Sequence, residues 1–142
     1  MNRTSLCLVL LLTMCSCSKS PEHAGTEIGE KRCECLTVRW ESDDQCLAEV
    51  LEAVKKDPSM SQQARGAMLN DLKKAKEMDS NQRYSACNKE FESMRDKIKL
   101  DFPAQDDRET IENMYRALEE QCTKEHAKTQ EAVAKEWMRA TQ

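Results

Sequence analysis

The composition, the spacing of apolar residues and the pattern of helix starts together predict an all-α fold. Aromatic residues make up 4% of the 142-residue chain and charged residues 34%, and Gly and Pro number three each, which favours helices over sheets. Apolar residues recur every three or four positions, as on one face of a helix. We expect a small antiparallel bundle of about four helices with a long C-terminal helix, preceded by a signal peptide and a flexible tether.

The first element is an apolar run that begins at Leu6 and ends at Met14, after a short positive start at Arg3. The run is too short to span a bilayer, which takes about 20 apolar residues. A charged start followed by a short apolar stretch is typical of a cleaved export signal. The sequence therefore predicts a signal peptide over residues 1–16.

The end of this run, Leu-Leu-Thr-Met-Cys-Ser-Cys-Ser over residues 11–18, resembles a bacterial lipobox. In that motif small residues precede a cysteine that is lipidated and becomes the new amino terminus. Cys17 fits better than Cys15, because Ser16 directly precedes Cys17 whereas the bulky Met14 precedes Cys15. The resemblance implies a diacylglyceryl thioether on Cys17 and a further acyl chain, palmitate, on its amino group, and such chains anchor a protein firmly to a membrane.

The same resemblance implies a location in the bacterial cell envelope. Ser18 stands where an aspartate retains many such proteins at the inner membrane, which points to the outer membrane, facing the periplasm. An ordinary cleaved signal without a lipid, followed by secretion, is the alternative.

Residues 17–30 hold Pro21, Gly25 and Gly29 among polar residues, with Ile28 as the large apolar side chain. Such a segment buries too little to fold alone, so it is expected to be a flexible tether. Residues 31–142 are expected to form one cysteine-containing helical domain, which opens with an extended or irregular segment over residues 31–40.

Helix starts in this domain are predicted from capping boxes, in which a Ser or Asp is followed three residues later by Gln or Glu. Prolines precede the second and the fourth, where they disfavour helical backbone. Four starts predict four helices. The pairs are Ser42 with Gln45, Ser59 with Gln62, Asp79 with Gln82, and Asp106 with Glu109.

The last helix, over residues 106–140, would span about 50 Å at 1.5 Å per residue, about twice the length of the others. Its second half is therefore expected to project beyond the bundle or to pack on something else. Val133 and Trp137 lie on its apolar stripe and are candidate partner-binding residues. A solvated helix end is the alternative.

Eight cysteines, less two in the signal and a lipidated Cys17, leave five disulfide candidates. Cys87 and Cys122 are expected to be buried and paired, with each other or with the amino-terminal cysteines. An odd number leaves a free thiol or a disulfide-linked dimer, unless Cys17 is unlipidated and completes three pairs. The candidates are Cys33, Cys35, Cys46, Cys87 and Cys122.

The remaining motifs argue against catalysis, metals and nucleic acid. Neither Cys33 with Cys35 nor Cys122 with His126 has the Cys-x-x-Cys form of a structural zinc site, so we expect no metal and no cofactor. His23 and His126 are the two histidines, and no nucleophile elbow or phosphate loop occurs. The net charge of -4, with both signs interleaved, offers no basic surface for nucleic acid.

These expectations combine into a non-enzymatic envelope lipoprotein whose helical body binds another protein, as an accessory subunit, inhibitor or exclusion factor. Its partners would be the membrane, through the amino-terminal lipid, and an envelope protein, with a disulfide-linked or helix-mediated homodimer also open. The alternative is a freely secreted, disulfide-stapled helical protein that acts as a soluble ligand or a small-molecule carrier.

Overall fold

The computed structural model describes residues 19–140, which form three long helices. They are α1 (Pro21–Lys56), α2 (Gln62–Asp101) and α3 (Gln105–Ala140), and this part of the chain contains no strand. The all-α class is confirmed, with three helices instead of about four. Cys15 and Cys17, on which the predicted lipidation depends, lie outside the described residues.

Two of the four predicted helix starts are wrong. Ser42 lies in the middle of α1 and Asp79 in the middle of α2, since no helix-breaking residue precedes either one. The two real breaks contain Pro58 and Pro103. At the first break the N-cap is Ser61, whose side chain accepts a hydrogen bond from the backbone N–H of Ala64. The predicted starts at Ser59 and Asp106 fall close to the real ones because a proline interrupts the preceding helix, but neither residue is an N-cap, since Ser59 bonds to Asp57 and Asp106 lies inside α3.

The segment expected to be a tether is helical from Pro21 onward, as are residues 31–40, which were expected to be irregular. Ser20 caps α1 by accepting a hydrogen bond from the backbone N–H of His23, and Pro21 occupies the first turn, where its missing N–H is not needed. The glycines that suggested flexibility are buried against α3. The prediction of a flexible tether over residues 17–30 is therefore wrong for its helical part.

Helix α1 is the central element of the fold. Nine of its residues are buried, against two in α2 and one in α3, so that α1 supplies most of the core. It packs along both other helices, which contact each other far less. Ion pairs from Lys31 to Glu90 and from Lys76 to Glu49 show that α2 runs antiparallel to α1.

Helix α3 runs parallel to α1 along its length. Arg32 pairs with Glu119 near one end of the interface and Lys55 pairs with Glu136 near the other. The three helices have 36, 40 and 36 residues, so all are about 54 to 60 Å long at 1.5 Å per residue. The expectation that α3 is twice as long as the others is wrong, because α1 extends over residues predicted to be non-helical and α2 joins two predicted helices. The second half of α3 does not project but packs against α1.

The backbones of α1 and α3 approach each other closely at two glycines. A Cβ atom placed on Gly25 would lie 2.6 Å from the Cβ of Met114 and 2.9 Å from the carbonyl oxygen of Ile111. On Gly29 it would lie 2.9 Å from the Cβ of Leu118. Any larger side chain at either position forces the two helices apart. Both glycines are thus required by packing, whatever they cost in helix propensity.

Replacing Gly25 by alanine is expected to lower the free energy of unfolding by about 1 to 3 kcal/mol, the usual effect of overpacking a core. The matched control is Gly66→Ala in α2, where an added Cβ meets nothing within 4 Å. There the gain in helix propensity should stabilise the protein by about 0.5 to 1 kcal/mol. Urea unfolding followed by circular dichroism measures both. Equal stabilisation by the two substitutions would show that the close contact does not exist.

Candidate functional site

Two cysteines on α1, separated by one residue, face different neighbouring helices. Cys35 forms a disulfide with Cys87 of α2, with a Cα–Cα distance of 5.4 Å, and both residues are buried. The two cysteines are 52 residues apart, and a loop of that length gives a stabilisation of about 4 kcal/mol in the chain-entropy model. The α1–α2 pair is therefore joined covalently as well as by packing.

Cys33 lies on the α3 side, where its thiol donates a hydrogen bond of 3.4 Å to the carbonyl oxygen of Leu118. Burial, together with the neighbouring Cys122 thiol, raises the pKa of Cys33 to about 12. Its thiol is thus protonated at neutral pH. The structure leaves Cys33 and Cys122 free and half-buried.

The prediction for Cys87 is confirmed, since it is buried and paired with an amino-terminal cysteine. Cys122 is neither paired in the structure nor fully buried. Cys46 is a free thiol and is fully buried in α1, where it behaves as a small apolar core residue.

Arg32 joins all three helices at the level of these cysteines. Its Nε donates a hydrogen bond of 2.9 Å to a carboxylate oxygen of Glu119 on α3. Its Nη1 donates to the side-chain oxygens of Tyr84 and Asn88 on α2, and the guanidinium group lies 5.3 Å from the ring centre of Phe91. One arginine therefore satisfies partners on both sides of α1, which a single lysine ammonium does less well.

A second cluster lies two turns farther along the α1–α3 interface. The ring of His126 stacks on Trp40 with 4.1 Å between ring centroids and 9° between planes. Its Nε2 lies 3.3 Å from Oδ2 of Asp44, and Gln130 donates to the other oxygen of the same carboxylate. This arrangement fixes the orientation of the imidazole and gives both oxygens of the Asp44 carboxylate a partner on α3.

The chemistry available to His126 follows from that orientation. Its Nε2 points toward Gln130, one turn later in α3, whereas Cys122 lies one turn earlier. The imidazole contacts the carboxylate of Asp44, the amide of Gln130 and the ring of Trp40. Between residues 19 and 140 no group of three or more His, Cys, Asp or Glu side chains is placed to hold a metal ion.

The candidate partner-binding residues lie at the other end of the molecule. Trp137 lines an open groove of about 530 Å³ between the end of α3 and the start of α2. Val133 is half-buried one turn earlier and is not part of the groove lining. The other lining residues are Gln62, Arg65, Gly66 and Leu69.

Sequence reasoning missed Arg32, Trp40 and Asp44, because their partners are more than 50 residues away along the chain. One local signal was present. Gly25, Gly29 and Cys33 are spaced four residues apart, which places three small side chains on one face of a helix. That face predicts close contact with another helix.

A comparison of the chain with known protein families, with curated proteins and with solved structures found no match. Within residues 19–140, no helix combines the length and the apolar character that crossing a membrane requires.

Proposed function

We propose that the protein is a non-enzymatic bacterial envelope lipoprotein, anchored through Cys17, whose helical body binds another protein at the Trp137 groove. The observation that carries the proposal is the position of this groove. Because α3 runs parallel to α1, Trp137 lies at the end of the bundle opposite Ser20, about 54 Å away by the length of a 36-residue helix. A lipid near Ser20 would leave the groove facing away from the membrane.

The connection to the anchor is short. Two residues separate Cys17 from the N-cap Ser20, where α1 begins. An acyl chain on Cys17 would therefore hold α1 close to the headgroups, with no long tether between them. The body would act as a rigid spacer about 54 Å long that presents its far end to the periplasm.

The groove has the chemistry of a protein-binding site. Trp137 and Leu69 offer apolar surface, Arg65 offers a cation, and the space beside Gly66 is open, since an added Cβ there would meet nothing within 4 Å. Tryptophan and arginine are the residue types that most often dominate the binding energy of protein interfaces.

The Cys35–Cys87 disulfide requires an oxidising compartment, which suits the periplasm. It suits a freely secreted protein equally well, and that protein remains the second candidate. The modification of Cys17 distinguishes the two, since a secreted protein would carry no acyl group.

The full-length chain, produced in a bacterium with an alkyne-labelled fatty acid, is expected to incorporate the label and to fractionate with the outer membrane. Cys17→Ser should abolish labelling, because it removes the sulfur that accepts the diacylglyceryl group. Cys15→Ser is the matched control and should be labelled normally. Labelling that is lost in Cys15→Ser and kept in Cys17→Ser would assign the lipid to the other cysteine, and an unlabelled, soluble wild-type chain would favour secretion.

The groove is tested separately by placing a photo-crosslinking amino acid at Leu69 and, as a control, at Met78, which is 82% exposed on the same helix. Irradiation of intact envelopes is expected to give a discrete adduct from position 69 and none from position 78. Adding Trp137→Ala to the Leu69 variant should reduce the adduct several-fold. Equal adducts from both positions, or an adduct unaffected by Trp137→Ala, would contradict binding at this groove.

A further inference from the structure

The register of the α1–α3 interface places two free thiols opposite each other. Gly25 faces Met114 and Gly29 faces Leu118, so that an advance of four residues on α1 matches an advance of four on α3. Parallel helices keep such a register over short distances. Four residues farther along each helix are Cys33 on α1 and Cys122 on α3, which therefore lie opposite each other.

A direct contact supports this register. The Cys33 Sγ lies 3.4 Å from the carbonyl oxygen of Leu118. In an α-helix this carbonyl is the one that accepts the backbone N–H of Cys122, four residues later. The thiol of Cys33 is therefore at the turn that carries Cys122. The adjacent ion pair between Arg32 and Glu119 holds the two helices at this position.

We propose that Cys33 and Cys122 form a second disulfide, which joins α1 to α3 at the level where Cys35–Cys87 joins α1 to α2. Cys33 and Cys35 are two residues apart and so point about 200° apart around the helix, each toward a different neighbour. The central helix would then be linked covalently on both sides.

The oxidant is a disulfide, either of a dithiol oxidoreductase or of oxidised glutathione. The thiolate of Cys122 attacks one sulfur of that disulfide, forming a mixed disulfide and releasing the other sulfur as a thiol. The thiolate of Cys33 then attacks the Cys122 sulfur, forms the Cys33–Cys122 bond and releases the second thiol. Two protons and two electrons pass from the cysteines to the oxidant, whose one disulfide becomes two thiols.

The second step needs the thiolate of Cys33, and the raised pKa of Cys33 keeps its thiol protonated at neutral pH. The rate of bond formation should therefore rise with pH above neutrality. The Cys46 thiol does not compete, since it is fully buried away from this level of the bundle. The five described cysteines would then form two disulfides and leave Cys46 as a buried thiol. None of them would need Cys17 as a disulfide partner.

The test is peptide mapping of the full chain after export to the periplasm and incubation with oxidised glutathione, with free thiols alkylated under denaturing conditions. Trypsin leaves Cys33 and Cys35 in one peptide, which should be found joined to the peptides of both Cys87 and Cys122. A glutamyl endopeptidase cleaves after Glu34 and separates the two cysteines, so that each bond is assigned. We expect Cys46 to be the alkylated residue among the five.

Two variants make the result specific. Cys33→Ser should turn Cys122 into an alkylatable thiol while Cys35–Cys87 remains, and Cys46→Ser should leave both bonds in place. If Cys33→Ser does not fold, Cys122→Ser provides the reciprocal measurement, with Cys33 becoming alkylatable. Recovery of Cys33 and Cys122 as free thiols beside an intact Cys35–Cys87 bond would overturn the proposal, as would a bond from Cys122 to Cys46 or to a second chain.

Discussion

The close contact between α1 and α3 at Gly25 and Gly29 sets the position of the other features on that side of the protein. It brings the two backbones near enough for the Cys33 thiol to reach the carbonyl of Leu118, and it fixes the register in which Arg32 meets Glu119. Farther along, the same register stacks His126 on Trp40 and brings Gln130 to Asp44. Shifting α3 by one turn along α1 would separate all of these pairs. Together they therefore favour a single register between the two helices.

Helix α2 is held differently. Its contact with α1 includes the buried pair Cys35 and Cys87, the ring of Phe91 and exposed ion pairs such as Arg83 with Glu41. Exposed pairs contribute about 0 to 1 kcal/mol each, so the disulfide and the buried apolar side chains contribute more. Arg32 links the two sides of α1 because its one guanidinium group bonds to α2 and α3 together. The result is a narrow, elongated body in which one helix carries most of the core.

The sequence predicted the all-α class, the breaks at Pro58 and Pro103 and the burial of Cys87, because these depend on local backbone chemistry and apolar spacing. The sequence-based predictions were wrong where one local pattern is compatible with two different structures. Gly25 and Gly29 match a flexible segment as well as a tight helix contact, and only the approach of α3 from more than 80 residues away decides between them. Ser42 and Asp79 match capping boxes, yet the helices continue through them for lack of a breaker. The partners of Arg32, Asp44 and Trp137 are equally remote and were not predictable from spacing.

Amide hydrogen exchange over residues 21–30 tests the central claim most directly, since it asks whether this segment is a packed part of the central helix. The structure predicts that the amides of Ile28, Gly29 and their neighbours exchange slowly, at rates close to those of the buried stretch from Val50 to Val54. Gly25→Ala should accelerate exchange over residues 21–30 more than over residues 50–54. Exchange of residues 21–30 at the rate of an unstructured chain in the wild-type protein would contradict the account, because a flexible segment cannot hold α3 in register.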